Sequence, residues 1–456
     1  NIPYTYEKSL SLPYNVLHTD LKWSTNTEDK KRASKYIESI LLMLRTKVLL
    51  NNGDLSKTEI VWFYPASMTQ NRFNKFKAEW ENTFATLFGA PISNIIAASE
   101  SVAPYYYHKA KKGATSTVVS VDIGGGTTDV LIVDKGEPKY LTSFRFAANT
   151  IFGDGYSYDS DSNGFVNKYK DIITNQLETN NLRGLKAVLK SVLDKRVSTD
   201  VIAFLFSLAS NKEIKKEKVE INFAKMLADD NRGKYVVILF YVAIVYHIAK
   251  LMKAKGFDMP RHMTFSGNGS KVLNILSTND ATLVRLTKII FEEIYAQSYS
   301  IDGLDIIRPA NSKESTCKGG IILTPFQSQD YGEIKDMKTI LIGTDNEKFA
   351  DVHMTYNDVT EADLDSVVYV IKEYIEFTFK LDKKFSFYDN FDVDRSIMNK
   401  VKDLCYRDIR TYLENGLAIK KSEIAQDGAD DNLEETLFFY PLVGIINAVV
   451  RNIYQM

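Results

Sequence analysis

Apolar positions recur at helical spacing across residues 30–50, placing Ala33, Tyr36, Ile37, Ile40, Leu41, Leu44 and Val48 near one face. Asn51, Asn52 and Gly53 end this predicted helix. Residues 59–64 form a short apolar run stopped by Pro65, and a second helical pattern extends over about 69–88. Gly89, Ala90 and Pro91 break it before an apolar run at 92–98. Helix, strand, helix and strand in succession form an α/β pattern. Within 118–133, two β-branched segments then flank a turn of three glycines and two threonines, and 139–146 gives a further strand.

Residues 160–231 read as polar and helix-rich, and 263–266 as a strand entering a helix through Gly267. The apolar runs 235–252 and 437–453 are interrupted, the first by His247 and Lys250, the second by Pro441, Asn447 and Arg451. Both therefore predict buried core helices rather than bilayer spans. Further on, Thr360, Glu361, Ala362 and Asp363 form a capping-box-like start. The helix they open carries Leu364, Val367, Val368, Ile371 and Ile375 on one face. More helix is expected over 394–417, an exposed acidic loop over 427–435, and an apolar final helix.

Composition narrows the function classes. With 57 basic and 58 acidic residues the net charge is −1, which argues against a general nucleic-acid-binding surface. The densest basic stretch, 212–218, is interrupted by glutamates and reads as a solvated helix face. Cys317 and Cys405 are the only cysteines, so a disulfide framework is excluded and a reducing, cytoplasmic location is expected. Five scattered histidines lack zinc-ligand spacing. Asn1 opens a polar segment with no secretory signal, and the absence of an initiating Met predicts further residues upstream.

The candidate chemistry sits at the glycine turn. Gly124, Gly125 and Gly126 are followed by Thr127 and Thr128, with Asp122 and Asp129 at either end. Consecutive glycines leave backbone N–H groups uncovered, so the turn can close around a polyphosphate. Two acidic groups at its mouth suit a hard cation such as Mg2+. A second glycine turn, Gly267, Asn268, Gly269 and Ser270, lets backbone approach a flat base and ribose closely.

The run from Asp122 to Val130 also resembles the second phosphate loop of the actin, seventy-kilodalton heat-shock chaperone and sugar kinase superfamily, most closely its chaperone and bacterial actin members. Other segments resemble that superfamily in order. Tyr64, Pro65 and Ala66 stand where a strand ends in Val-Pro-Ala, and the stretch from Glu100 to Tyr107 where a first connecting helix begins. Gly267 to Ser270 stand at the adenosine motif, with Asn268 departing from the usual glycine. Gly319 and Gly320 stand at the second connecting helix, or else at a helix C-cap.

The resemblance implies a two-lobed actin-like ATPase fold with ribonuclease-H-like lobes and a helical C-terminal extension. It divides the chain into a partial first lobe (1–117), a second lobe (118–323) and the extension (324–456). It further implies ATP or ADP with Mg2+, the turn Gly124 to Thr127 on the phosphates, and a hydroxyl contact from Thr127 or Thr128. Asp122 and Asp129 would hold hydrated metal, with Asp122 also catalytic, while Gly267, Gly269 and Ser270 meet the adenosine. For Glu100 two readings stand: it places the attacking water, or it favours a helix N-terminus. The polar region 160–231 would be a mobile outer subdomain over the base.

Two departures matter. No Asp-x-Gly-Thr first phosphate loop occurs between Asn1 and Asp122, so it is expected upstream or degenerate, and this chain is expected to be weak or inactive without it. Residues 324–456 match nothing in the superfamily. Alternatives to a slow ATPase coupled to lobe closure or assembly are a non-catalytic scaffold acting through protein contacts, a filament-forming actin relative and a small-molecule kinase. Expected partners are nucleotide and a protein, or a second copy; no nucleic acid and no membrane span is expected.

Overall fold

The computed structural model describes residues 21, 24, 26–66, 68, 70–112, 117–300, 303–309, 312–322, 337–351, 353–427 and 432–454. Thr69, Leu323 and the opening segment, to which the sequence also assigns expectations, lie outside these residues.

Two sheets organise the chain. Strands β1 (Ile60–Tyr64) and β2 (Ile95–Ser99) pair in parallel, joined by the helix Gln70–Phe88. Parallel neighbours need such a crossover, because a tight turn cannot reverse the chain twice. The second sheet holds β3 (Val118–Ile123), β4 (Thr128–Asp134), β5 (Glu137–Phe144), β6 (His262–Ser266) and β7 (Asp305–Ile307), in the order β5-β4-β3-β6-β7. Strands β3, β4 and β5 are antiparallel, whereas β6 and β7 run parallel to β3. The 92–98 run thus splits into a 3-10 turn, Ile92–Asn94, followed by β2.

The five-stranded sheet is covered on both faces, so its β3 and β4 read as nearly continuous apolar runs. Val119, Val121 and Ile123 of β3, with Val130 and Ile132 of β4, face a large core. That core contains the helix Lys234–Ala254 and the helices of region 160–231. Val118, Leu131, Val133 and Leu141 face the other way, into a second core with Tyr64, Phe73, Phe84 and Tyr105 around β1 and β2. Strand alternation assigns every residue of β3 and β4 to one core or the other.

Lys234–Ala254 is the one helix among the described residues long and apolar enough to cross a membrane, and 94% of its most apolar window is buried. Its apolar surface packs inside the protein, as its internal polar residues predicted. The helix Phe439–Ile453 tolerates Pro441 because the first turn leaves its N–H groups without helical acceptors. Residues 354–427 and 432–453 contribute to the same large core as β3 to β6. Phe439 stacks on Phe144 at 4.1 Å and on Phe146 at 4.6 Å between ring centroids.

The helix expected over 394–417 is present in two pieces, Met398–Cys405 and Ile409–Asp427, with Asp408 at φ 54° between them. One sequence expectation is corrected. The acidic stretch 427–435 is not simply an exposed loop, since Glu434 and Glu435 are 7% and 2% exposed. Lys420 Nζ lies 2.6 Å from Glu434 and 3.9 Å from Glu435, and the Arg145 backbone N–H donates to Glu435 at 2.6 Å. Buried carboxylates require such partners.

His247 sits in this aromatic core against Phe438 at 5.6 Å, Phe439 at 5.1 Å and Phe144 at 5.6 Å. Its Nε2 makes no hydrogen bond among the described residues. Burial pushes its pKa down to about 3 from 6.5. The native state therefore holds neutral imidazole while the unfolded chain takes up a proton below its ordinary value. The stabilising contribution is complete above about pH 6.5 and is lost as pH falls towards 3. Between pH 7 and 5 urea unfolding should show a loss of roughly 1–2 kcal/mol from this group. His247→Leu should remove that part of the pH slope; an unchanged slope would mean that other groups carry it.

Candidate functional site

The turn between β3 and β4 is closed by one backbone bond, Gly124 N–H to the Thr127 carbonyl, at 2.8 Å. Gly125 and Gly126 form its exposed tip. On one side the turn is held by the entry to the helix Ala148–Phe152: the N–H of Ala148 donates to Gly124 O at 3.3 Å, and that of Asn149 to Gly125 O at 2.7 Å. These bonds use the turn's carbonyls and leave its donors. The N–H groups of Gly125, Gly126 and Thr127 donate to nothing among the described residues. Three successive uncommitted amides, two on the exposed glycines and one on the buried Thr127, are suited to an anion.

The threonines divide by face. Thr128 is fully buried, and its hydroxyl donates to the Phe146 carbonyl at 2.6 Å, clamping the strand that follows the turn. The Thr127 hydroxyl makes no hydrogen bond among the described residues. Of the two candidates, Thr127 is the one with a hydroxyl to offer.

Asp122 and Asp129 stand directly opposite each other in the β3–β4 register. Ser143 pairs with Asp129 and Ser266 with Asp122, so one polar row crosses four strands: Ser143, Asp129, Asp122, Ser266. This row lies on the face turned towards β1 and β2, one pleat beyond Leu141, Leu131, Ser120 and Thr264. The Ser266 hydroxyl donates to Asp122 Oδ2 at 3.1 Å. The two carboxylates are 5% and 2% exposed, and like charges opposed across a ladder repel. A cation beside them would relieve that repulsion. Two adjacent carboxylates suit Mg2+, which binds through one or two such groups and keeps waters. No group of three or more His, Cys, Asp or Glu side chains suited to a metal exists among the described residues.

The second glycine turn lies against the first because β6 neighbours β3. Gly267 has φ 80° and ψ 155°, a conformation essentially confined to glycine. A Cβ there would lie 2.2 Å from the Ile123 carbonyl oxygen, and one at Gly269 would lie 2.1 Å from that of Gly124. Both positions therefore require glycine for backbone-on-backbone contact. Ser270 donates its hydroxyl to Gly267 O at 2.7 Å and closes the turn. The chain then enters the expected helix by way of a 3-10 turn, Asn268–Val272, and the helix itself is short, Leu273–Leu276.

Glu100 follows β2, and its N–H extends the β1–β2 ladder to the Tyr64 carbonyl at 2.9 Å. The next helix, Ala103–Lys112, begins three residues later, so Glu100 belongs to the strand exit rather than the helix start. That helix docks on the β4–β5 turn: Tyr105 Oη and Lys109 Nζ donate to Gly136 O at 3.0 and 2.7 Å. Gly319 and Gly320 lie within the helix Ser312–Ile322, which excludes the C-cap reading. A Cβ at Gly319 would lie 1.7 Å from Ala103 O, so these two helices cross at backbone contact.

Sequence reasoning missed Lys338. It forms a parallel bridge with Leu141, at the edge of the sheet beyond β5. Burial lowers its pKa, with Glu434, Glu435 and Asp129 acting in the opposite direction. Its place depends on a pairing between distant segments, and no local pattern marks it.

No protein-family model matches the chain, and no curated protein matches it. Among solved structures the chain is similar to the crystal structure of ethanolamine utilization protein EutJ from Carboxydothermus hydrogenoformans. The identity is 13% and the TM-score 0.30, over 64% of this chain and 74% of that one. A likeness at that level assigns no function, and the case for one rests on the turn's own geometry.

The two glycine turns give a stability test with an internal contrast. Gly269→Val should cost about 2–4 kcal/mol, because backbone must move to admit the side chain. Gly126→Ala meets no atom within 4 Å and should change stability by less than about 0.5 kcal/mol. Equal effects in urea unfolding would contradict the contact between the turns.

Proposed function

We propose that this is an ATP-binding, actin- or chaperone-like protein that holds ATP at the turn Gly124 to Thr127, with slow Mg-dependent hydrolysis to ADP coupled to lobe closure or assembly. The observation that carries this reading is the set of uncommitted N–H groups at Gly125, Gly126 and Thr127. They would hold the β- and γ-phosphates, with the Thr127 hydroxyl beside them, and the turn Gly267 to Ser270 would face the adenosine. Asp122 and Asp129 would hold Mg2+ through its waters, and the metal would supply charge neutralisation. Glu100, at the exit of β2, would orient the attacking water as a general base. Catalysis of this kind depends on positioning and charge stabilisation, both of which a rigid sheet terminus provides.

The strand order supports the same reading. Three antiparallel strands in succession, extended beyond the first by two parallel strands, suit a ribonuclease-H-like second lobe. The parallel pair β1 and β2 with its crossover helix suits part of a first lobe. In this reading the divisions at 117 and 323 mark the lobes, and the remainder is a helical extension.

A scaffold role has one observation in its favour. Tyr36, Met43 and Leu50 recur at seven-residue spacing on the helix Thr27–Leu50 and are exposed, an apolar stripe suited to protein contact. A scaffold need not bind nucleotide, so binding separates the two.

The metal assignment is tested by Asp122→Asn, which keeps the side chain's size and removes its charge. Calorimetry should show Mg-ATP binding weakened at least about ten-fold, as expected when a charged contact is lost. Metal-free ATP should bind the variant and wild type alike. Equal Mg-ATP affinities would reject the assignment. Absence of wild-type binding at millimolar Mg-ATP would favour the scaffold.

A further inference from the structure

The sheet edge beyond β5 brings a cation to the carboxylate face from a distant part of the chain. Lys338 pairs with Leu141 in a parallel bridge, and the Thr339 N–H donates to Leu141 O at 2.8 Å. Paired residues in a ladder project to the same face. Leu141 belongs to the core on the side of β1 and β2, the side on which Asp122 and Asp129 stand. Lys338 therefore extends the row Leu141, Leu131, Ser120 and Thr264, one pleat from Ser143 and Asp129.

Glu434 and Glu435 already have cationic or N–H partners of their own. Lys420 contacts Glu434 and Glu435, and Arg145 pairs with Glu423 while its backbone N–H serves Glu435. Lys338 lies within electrostatic reach of Glu434, Glu435 and Asp129, yet its ammonium makes no ion pair or hydrogen bond among the described residues. Lys338 is partly withdrawn from water, and an ammonium in that position without a direct partner is costly. An anion held at the glycine turn, flanked by the Asp129 that is within electrostatic reach of Lys338, would supply that partner.

We propose that Lys338 is a binding residue of the phosphate site, its ammonium meeting the terminal phosphates of the polyphosphate held at Gly124 to Thr127. This rests on the nucleotide reading and adds a cation drawn from the region after the second lobe. Charge-assisted contacts of this kind are short and strong, and a lysine serves phosphate as a compact point charge.

The test compares wild type, Lys338→Met and Lys338→Arg in the full chain, by calorimetry with Mg-ATP and with AMP, and by urea unfolding. Lys338→Met keeps most of the stem and should weaken Mg-ATP binding about ten- to a hundred-fold, while AMP affinity changes less than about three-fold. Lys338→Arg should restore most of the loss. If wild type binds Mg-ATP and Lys338→Met binds it equally, the inference is overturned and the nucleotide reading stands. Parallel losses for ATP and AMP with reduced stability would make Lys338 a structural counter-charge, which also overturns it. If wild type binds neither nucleotide, the nucleotide reading falls and takes this inference with it.

Discussion

The structure depends on backbone-to-backbone contact between two turns at one end of the sheet. The β3–β4 turn and the turn after β6 can touch only because Gly267 and Gly269 present no side chain to Ile123 O and Gly124 O. That contact positions the glycine tip, while the helix entry at Ala148 and Asn149 holds its carbonyls from the other side. Pinned on both sides, the exposed tip at Gly125 and Gly126 has little freedom to collapse. Donors fixed before a ligand arrives need no reorganisation when it binds, and this is the electrostatic advantage of a preorganised site.

The sheet's two faces then separate structure from chemistry. Alternation sends Val119, Val121 and Ile123 into the large core and leaves Asp122 on the opposite face, in one row with Asp129. A one-residue slip in this hairpin would put the valines where the carboxylates stand, so the core itself specifies the site's register. The aromatic stack of Phe144, Phe146 and Phe439 ties the following strand to the last helix. Through that stack, the far end of the chain helps hold the segment that grips the turn.

Much of this was legible in the sequence where local pattern carries the information. The β-branched runs around three glycines announced the hairpin, and the interrupted apolar run at 235–252 announced a core helix. Alternation within β3 and β4 was harder to read, because a sheet buried on both faces shows nearly continuous apolar residues. The features that were missed depend on distant pairing. Glu435 looked solvated in an acidic run, but one of its partners is the Arg145 backbone, 290 residues away. Lys338 became visible only through its bridge to Leu141. Gly269 was assigned to adenosine by resemblance, whereas its neighbour Gly124 already explains why no side chain is allowed there.

The central claim is that the uncommitted amides at the turn are an anion site for a nucleotide's phosphates. The most direct measurement is a crystal structure of the protein grown with Mg2+ and a non-hydrolysable ATP analogue. The account predicts phosphate oxygens within about 2.7–3.2 Å of the Gly125 and Gly126 nitrogens, the normal range for N–H···O bonds, with the metal beside Asp122 and Asp129. Analogue bound elsewhere, or an unliganded turn at saturating analogue, would contradict it.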